Sequence, residues 1–220
     1  MSSMNELIER LRAVQVSSLC DADKTLPVVD PQVRAMLPGS TVVGPAFTVV
    51  AHDDHLPLLV ALRAAEPGSV LVVATDGHRR AVSGELFATE AHRRGLAGIV
   101  IDGYCRDMRG LRTIGLPVYA RGATPMSGST RDPGTFGKPV LIGGVEVAAG
   151  DLVVGDDDGL VIAPPDRLAA ALPGAEEIER AERALLDGMA GGRSLHEMTT
   201  VDEHLRALAA GENSVLGFTV

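Results

Sequence analysis

The sequence predicts an α/β fold in a single domain spanning residues 1–220, and three observations indicate it. Continuous apolar runs at 69–76 (SVLVVATD) and 99–102 (IVID) alternate with segments of helical pattern, which is typical of parallel strands buried on both faces. A glycine-rich stretch at 139–164 separates short apolar runs by Gly-Gly and Asp-Gly turns, which indicates antiparallel hairpins. A chain of 220 residues is also long enough to bury one full hydrophobic core.

The first part of the chain predicts two helices, a strand and a third helix. Residues 4–14 place apolar side chains at helical spacing, and Ser17 or Ser18 is expected to cap a second short helix. The segment 41–54 is rich in β-branched residues and contains Gly-Pro, which predicts a strand with a bend or bulge. The segment 56–68 is predicted to be a helix that ends at Pro-Gly.

The centre of the chain predicts a β-α-β-α-β unit built on the two apolar runs. A helix is expected to begin near Gly84 and to end at Gly95, which suits a C-terminal cap. A second helix is predicted for 107–114 and a third strand for 116–120. Short links between these elements imply parallel strands joined by right-handed crossovers.

The C-terminal part is helical by composition. The segment 166–188 predicts one helix, Gly191 and Gly192 interrupt it, and a last helix is expected over about 195–210. Residues from about 166 to 220 are therefore expected to form a helical extension of the same domain.

Composition and charge narrow the classes of function. Hydrophobic residues make up 45% and charged residues 22% of the chain, which is typical of a globular protein. A formal net charge of −9 argues against nucleic acid as a partner, because phosphate binding requires a basic surface. Cys20 and Cys105 give no disulfide framework. No signal peptide or run of 18 apolar residues is evident, so we expect a cytoplasmic protein without a membrane partner.

The stretch GELFATEAHRRGLAGIVIDGYCRD, residues 84–107, has a Gly-Glu dipeptide at one end and an Arg-Asp dipeptide at the other. A predicted helix and a predicted strand lie between them. Ligands of open parallel sheets collect beyond the carboxyl ends of the strands. Both ends of the stretch are expected at that edge, so we expect them to meet in one pocket.

The residue types at the two ends suit a small anion and a metal ion. The first amides of a helix lack internal partners, so the amides of Leu86 and Phe87 can hold a carboxylate. Arg106 can pair with a carboxylate or stabilise an enolate oxygen, and Asp107 offers the hard oxygen that Mg²⁺ or Mn²⁺ prefers. Each end also has a plain alternative. Glu85 is common in the first turn of any helix, and Arg-Asp neighbours often form a surface ion pair.

Taken together, several segments resemble one family. The stretch 84–107, with SSLCDAD, GPAFTV, EPGSVLVV, LPVYARGATP and GDLVVGDDDGLVIAP, resembles the class II pyruvate aldolases that cleave 4-hydroxy-4-methyl-2-oxoglutarate and 4-carboxy-4-hydroxy-2-oxoadipate. The matches cover most of residues 15–165. The same superfamily contains the regulator of ribonuclease E activity, which is non-catalytic. The resemblance implies a compact α/β sandwich of the swivelling-domain type, with a mixed sheet and helices on the outside.

The resemblance also implies roles for the residues that match the motif. Residues 84–87 would hold the carboxylate of a 2-oxo acid, and Arg106 would face its keto and carboxylate oxygens. Asp107 would be the direct ligand of a divalent metal cation, Mg²⁺ or Mn²⁺, with water completing the octahedron. Glu85 would order the metal-bound water.

Oligomers are implied as well. Family members form trimers or hexamers with sites between subunits, so a homotrimer or homohexamer is expected. A second acid is expected from the C-terminal helix of a neighbouring subunit, and Glu179 and Glu182 are the candidates.

The implied activity is the metal-dependent cleavage of 2-oxo acids to pyruvate, both as a retro-aldol reaction and as oxaloacetate decarboxylation. One position departs from the family pattern, because Gly110 stands where the aldolases usually carry an acid. This change concerns the choice of aldol substrate more than the metal site. The alternative function is a non-catalytic regulator that binds a ribonuclease. A methyltransferase would need a glycine-rich cofactor loop after an early strand, and none is evident.

A second polar cluster, at 51–56 (AHDDHL), contains His52, Asp53, Asp54 and His55. Its residue types suit a metal, but a polar loop between a strand and a helix, with aspartate capping, is the favoured interpretation. A substrate contact from Asp54 or His52 is left open.

Overall fold

The sheet dominates the fold. In the computed structural model of the protein, residues 4–219 are described. The strands are β1 Arg34–Ala35, β2 Val42–Val50, β3 Val70–Ala74, β4 Ala81–Ser83, β5 Gly98–Cys105, β6 Val118–Ala123, β7 Thr135–Phe136, β8 Val140–Ile142, β9 Val145–Val147, β10 Leu152–Gly155 and β11 Leu160–Ala163.

The helices lie between and after these strands. They are α1 Met4–Leu11, α2 Val16–Ala22, α3 Leu56–Ala64, α4 Glu85–Arg93, α5 Met108–Ile114, α6 Pro165–Ala190 and α7 Val201–Ala209, with a short 3₁₀ helix at His196–Met198. None of the helices among the described residues is both long enough and apolar enough to cross a membrane.

The main sheet is mixed, as predicted. Its strand order is β1-β6-β5-β3-β2-β10-β11. The central strands β2, β3, β5 and β6 are parallel, whereas β10 is antiparallel to β2 and β11 to β10. Helices α3, α4 and α5 connect the parallel strands in chain order. A separate antiparallel hairpin, β8–β9, confirms the hairpins predicted for 139–164.

Both faces of the central strands are covered, which explains their continuous apolar sequences. Leu71 and Val73 of β3 pack in one core cluster with residues of α3, α4 and α5. The alternate residues, Val70 and Val72, belong to a cluster on the other side that includes residues of the β8–β9 hairpin. Polar groups of these strands are therefore expected mainly at the strand ends.

A third core cluster joins α1, α2 and α6 to the strands β10 and β11. It contains Leu11 of α1, Leu19 of α2 and Leu172 of α6, together with Leu152 and Val161 of the strands. The chain after α6 packs less closely. None of the residues of α7, all within the described region, is buried.

Some local expectations are confirmed and others are wrong. Gly95 follows α4 with a φ of 74°, the left-handed conformation that suits a glycine after a helix. Neither Ser17 nor Ser18 caps α2, because the helix begins at Val16 with Gln15 at its N-cap. The single helix predicted for 195–210 is divided into the 3₁₀ helix and α7.

Candidate active site

The strand β4, which the sequence did not indicate, brings the two ends of the stretch 84–107 together. It pairs parallel to the second half of β5, with Ser83 opposite Cys105. The amide of Arg106 donates to the carbonyl of Ser83 at 3.0 Å. Gly84 follows Ser83 directly, so the start of α4 lies against the Arg106-Asp107 dipeptide.

Asp107 is the centre of this arrangement. Its backbone is left-handed, with a φ of 60°, and it forms the N-cap of α5. Its Oδ2 accepts a hydrogen bond from the amide of Glu85 at 3.3 Å and lies 3.4 Å from Nε of Arg106. No hydrogen bond within the described residues reaches Oδ1, and the side chain is 40% exposed. One carboxylate oxygen is thus held in place while the other can take a ligand.

A glycine is required at position 84 because other side chains approach it closely. Backbone conformation is not the reason, since its φ of −173° is extended and any residue can adopt it. A Cβ atom at this position would overlap Oδ2 of Asp107 and would lie 3.0 Å from Cγ of Arg106. The absence of a side chain lets the Asp107 carboxylate reach the first amide of α4.

The next two amides of α4 lie before the first hydrogen bond of the helix. The first bond inside the helix is donated by Ala88 to the carbonyl of Gly84 at 3.0 Å. The amides of Leu86 and Phe87 precede it and have no acceptor within the helix. They also lie at the positive end of the helix dipole. These are the two amides that the sequence predicted as carboxylate ligands.

Two cavities meet at Arg106. One, of about 310 Å³, is lined by Arg106, Asp107, Ala123, Thr124 and Pro125. The other, also about 310 Å³, is largely apolar and is lined by His55, Leu56, Leu59, Leu62, Leu86, Phe87, Glu90, Arg106 and Thr130. A larger cavity of about 430 Å³ between α3 and α4 contains none of the predicted site residues. We place the candidate site at Arg106 because the charged groups converge there.

Glu85 lies against Gly110, the position that departs from the family pattern. A Cβ atom on Gly110 would overlap the carboxyl carbon and Oε2 of Glu85. The carboxylate of Glu85 therefore occupies space next to α5 that a side chain at position 110 would fill. No pattern in the sequence indicates this contact, because the two residues belong to different helices.

Asp54 has a structural role instead of the substrate contact left open from the sequence. It is 1% exposed. Its carboxylate accepts hydrogen bonds from Ser129 Oγ at 2.5 Å and from the amides of Arg131, Asp132 and Leu56 at 2.6, 3.0 and 2.8 Å. Burial alone would raise the pKa of Asp54, but these hydrogen bonds outweigh it and hold the pKa well below its usual range.

Asp54 therefore positions the loop 127–132, which contributes Thr130 to the apolar cavity.

Cys105, next to Arg106, is also structural. Burial raises the pKa of its thiol to about 11, so the nucleophilic thiolate is scarce near neutral pH.

The two C-terminal candidates lie on α6. Glu179 accepts hydrogen bonds from the amide of Gln15 and from Ser18 Oγ of the same chain, both at 2.9 Å. Glu182 is exposed. Neither residue lines the cavities at Arg106 of its own chain. That one of them completes a neighbouring subunit's site stays a prediction.

The carboxylate oxygen atoms of Asp107 suit a hydrated metal ion. Within residues 4–219, no group of three or more His, Cys, Asp or Glu side chains is arranged to hold a metal. Asp107 thus offers a single carboxylate that lines an open cavity. Mg²⁺ commonly binds through one or two carboxylates and keeps several waters, so the site fits such an ion.

These features define a class of protein: an α/β fold with a mixed sheet, in which an arginine, a carboxylate and the first amides of a helix lie together beyond the end of a parallel strand. The family follows from comparison. The RraA-like family model, described as Aldolase/RraA, matches residues 16–162, and the chain belongs to that family.

Three relatives illustrate the range of names within it. A Halalkalibacterium halodurans protein named "Putative 4-hydroxy-4-methyl-2-oxoglutarate aldolase" is 32% identical over 198 residues, covering 87% of this chain and 94% of the relative. The structure of Streptomyces coelicolor RraAS2, described as an unusual member of the RNase ES inhibitor RraA protein family, is 30% identical with a TM-score of 0.72, covering 83% and 96%. A Geobacillus kaustophilus structure described as S-adenosylmethionine: 2-dimethylmenaquinone methyltransferase is 33% identical with a TM-score of 0.66, covering 70% and 98%. Because the names disagree, the function has to be argued from the site.

The first testable prediction concerns Gly84. Gly84→Ala should lower the free energy of unfolding by about 1–3 kcal/mol, because the added methyl group displaces Asp107. Gly122→Ala is the matched control, since a Cβ there meets the ring of Tyr104 at an ordinary 3.5 Å. Urea denaturation of both variants measures the difference. Equal stabilities would show that the Gly84 contact is not restrictive.

The second prediction concerns Asp54. Asp54→Asn should lower the free energy of unfolding by about 2–4 kcal/mol, because an amide cannot accept from four donors. The pKa of Asp54 is depressed in the folded state, so its stabilising effect is fully present above the unfolded pKa of about 3.9 and is lost progressively as the pH falls from there through the lower folded pKa. The stability difference from wild type should therefore shrink as the pH falls below about 4.

Urea denaturation between pH 7 and pH 3 checks this dependence on Asp54. Asp132→Asn is the control, because this exposed carboxylate accepts from a single amide, that of Gly134. A loss as small as that of the control, or one that does not change with pH, would contradict the role given to Asp54.

Proposed function

We propose that the protein is a divalent-metal-dependent carbon–carbon lyase that releases pyruvate from 2-oxo acids. The main support for this proposal is the position of the Asp107 carboxylate, which lies 3.3 Å from the amide of Glu85 and 3.4 Å from the guanidinium of Arg106. Several relatives carry the name "Putative 4-hydroxy-4-methyl-2-oxoglutarate aldolase", which supports this class of reaction. We propose both retro-aldol cleavage of such substrates and decarboxylation of oxaloacetate.

Substrate binding uses the start of α4 and the Arg106 side chain. The amides of Leu86 and Phe87 bind the carboxylate at C1 of the 2-oxo acid, where the helix dipole favours negative charge. Arg106 donates to the keto oxygen at C2 and so holds the substrate between α4 and the end of β5. Asp107 would hold a divalent ion, which would supply Lewis-acid polarisation of that carbonyl.

Cleavage breaks the bond between C3 and C4. In the aldol reaction, water hydrogen-bonded to the Glu85 carboxylate takes the proton of the C4 hydroxyl group and passes a proton on to Glu85, and C4 becomes the carbonyl carbon of the second product. The electron pair of the broken bond moves to C3 and gives pyruvate enolate, whose oxygen Arg106 stabilises. The same water then donates a proton to C3, which becomes the methyl group of pyruvate. Oxaloacetate loses CO₂ from the same bond and leaves the same enolate, so the two reactions require the same stabilising groups.

The alternative is a regulator that binds a ribonuclease, because the Streptomyces coelicolor relative is described as belonging to a family of RNase ES inhibitors. Such a role does not require the convergence of Glu85, Arg106 and Asp107, which favours the lyase. The trimer or hexamer, the acid from a neighbouring subunit and the cytoplasmic location stay predictions.

The third prediction tests the lyase directly. The purified protein with Mg²⁺ or Mn²⁺ should release pyruvate from oxaloacetate faster than the metal alone, and EDTA should abolish the difference. Arg106→Lys should lower kcat/KM by about 100-fold, since a point charge does not replace a bidentate guanidinium beside the enolate. Asp107→Asn should lower it by a factor on the order of 10³ through loss of the Lewis acid. A coupled assay for pyruvate measures each rate.

Arg109→Lys is the control for Arg106, because it is an exposed arginine of the same segment with no ion pair among the described residues. It should keep the wild-type rate. If wild type releases pyruvate no faster than Arg106→Lys from oxaloacetate and from 4-hydroxy-4-methyl-2-oxoglutarate, the proposal fails and the regulatory alternative gains support.

The fourth prediction concerns Gly110. Gly110→Ala should lower kcat by about 10-fold or more, because the methyl group displaces the Glu85 carboxylate from its place against α5. Glu85→Ala removes the carboxylate, so adding Gly110→Ala to it should cause little further loss. A double-mutant cycle on kcat measures this coupling. Additive losses would show that the contact does not position Glu85.

A further inference from the structure

Two His–Asp pairs connect the loops that follow β2 and β3. His52 Nδ1, after β2, lies 3.0 Å from Oδ2 of Asp76, after β3. In the opposite sense, His78 Nδ1, after β3, lies 3.1 Å from Oδ2 of Asp53, after β2. Each loop therefore contributes one imidazole and one carboxylate, and the pairs cross between the loops.

Both carboxylates are on unfavourable backbone. Asp53 and Asp76 have φ values of 48° and 53°, in the left-handed region that non-glycine residues seldom adopt. Oδ1 of Asp53 is buried without a hydrogen-bond partner among the described residues. Such features persist only where the surrounding structure fixes them, and they are frequent at ligand sites.

The pairing leaves one nitrogen of each ring available. Nδ1 of each imidazole faces a carboxylate, and no hydrogen bond within residues 4–219 reaches Nε2 of His52 or His78. The ring centroids are 6.2 Å apart and the planes are inclined by 68°. A first-row metal ion binds imidazole nitrogen at about 2 Å, so two rings that share one tetrahedral ion have centroids about 5–5.5 Å apart. The observed separation is about 1 Å longer, so the two partly exposed rings would have to move together by about that distance to share an ion.

We propose that His52 and His78 form a second cation site, which takes a borderline transition-metal ion such as Zn²⁺ through the two Nε2 atoms. Imidazole selects Zn²⁺, Ni²⁺ or Cu²⁺, whereas Mg²⁺ and Mn²⁺ prefer oxygen. Asp76 and Asp53 act as outer carboxylates that fix the tautomer and raise the basicity of each ring, an arrangement common around metal-bound histidines. Water completes the coordination, because both rings are partly exposed.

The charge around the rings permits a cation. Arg80 is the neighbouring base, with Nε 3.8 Å from Oδ2 of Asp53. The carboxylates of Asp53 and Asp76 together offset the charges of Arg80 and of Arg79, the exposed residue next to His78. The ion would link the loops after β2 and β3, and a third loop is attached because Ser129 donates its amide to the carbonyl of Asp53 at 2.7 Å.

Calorimetric titration of the EDTA-treated, full-length protein with Zn²⁺ tests the site. Wild type should bind one ion per chain at this site with a Kd in the micromolar range, and His52→Ala/His78→Ala should weaken binding at least 100-fold. His92→Ala/His196→Ala is the matched control and should bind as wild type. The His92 substitution removes an exposed ring of α4. The His196 substitution removes the ring of a separate His–Asp pair, in which His196 Nε2 lies 3.3 Å from Asp202.

Two further variants separate this site from its surroundings. Asp53→Asn/Asp76→Asn should weaken Zn²⁺ binding by about 10–100-fold, the usual effect of losing outer carboxylates, and asparagine tolerates left-handed backbone. Asp107→Asn should leave Zn²⁺ binding at this site unchanged. A failure of the lyase proposal would instead appear as pyruvate release that is unaffected by Arg106 or Asp107 variants.

Imidazole ¹H–¹⁵N spectra supply a readout that does not depend on activity. Zn²⁺ should shift Nε2 of His52 and His78 and leave Nδ1 protonated, while the other four rings stay unchanged. The proposal is overturned if the His52/His78 double variant binds Zn²⁺ as wild type does. It is overturned equally if Zn²⁺ shifts other rings alone, or if wild type shows no binding tighter than about 1 mM.

Discussion

The parallel pairing of β4 with the second half of β5 is the contact on which the candidate site depends. The bond from the Arg106 amide to the Ser83 carbonyl, at 3.0 Å, fixes the register between the start of α4 and the end of β5. With that register, a carboxylate at 107 meets the first amide of α4, but only if residue 84 has no side chain. A shift by one residue would exchange the faces of every side chain beyond it. The site is therefore positioned by backbone pairing, and side chains refine it.

The buried sheet explains why chemistry gathers at one edge. Side chains of β3 and β5 are needed on both faces for the core, so polar groups appear where the strands end. Among the described residues, the non-glycine residues with positive φ are Asp53, Asp76 and Asp107. They follow β2, β3 and β5, three neighbouring parallel strands. Each of these carboxylates contacts a group from another loop or helix start: His78 for Asp53, His52 for Asp76 and the amide of Glu85 for Asp107.

The sequence predicted what is encoded locally. The continuous apolar run of β3, the helix end at Gly95 and the mixed sheet all follow from patterns within a few residues. It missed β4 because a strand of three residues has no detectable period. It left the role of Asp54 open because three of its donors come from residues 129–132, more than 70 positions later in the chain. The proximity of Glu85 to Gly110 was likewise invisible, since it arises from the packing of α4 on α5.

The charges at the site suggest why an anion and a cation would bind together there. Arg106 contributes one positive charge, whereas Asp107 and Glu85 each contribute a negative one, so the three side chains carry a formal net charge of −1. Oδ2 of Asp107 lies 3.4 Å from Nε of Arg106, and this pair already offsets the guanidinium. A substrate carboxylate placed on the amides of α4 would therefore meet a site with no excess of positive charge. A divalent cation beside Asp107 would change the sum to +1 and release Arg106 to face the substrate. In the proposed lyase, anion binding and cation binding should consequently be cooperative, with each ligand raising the affinity for the other by the same factor.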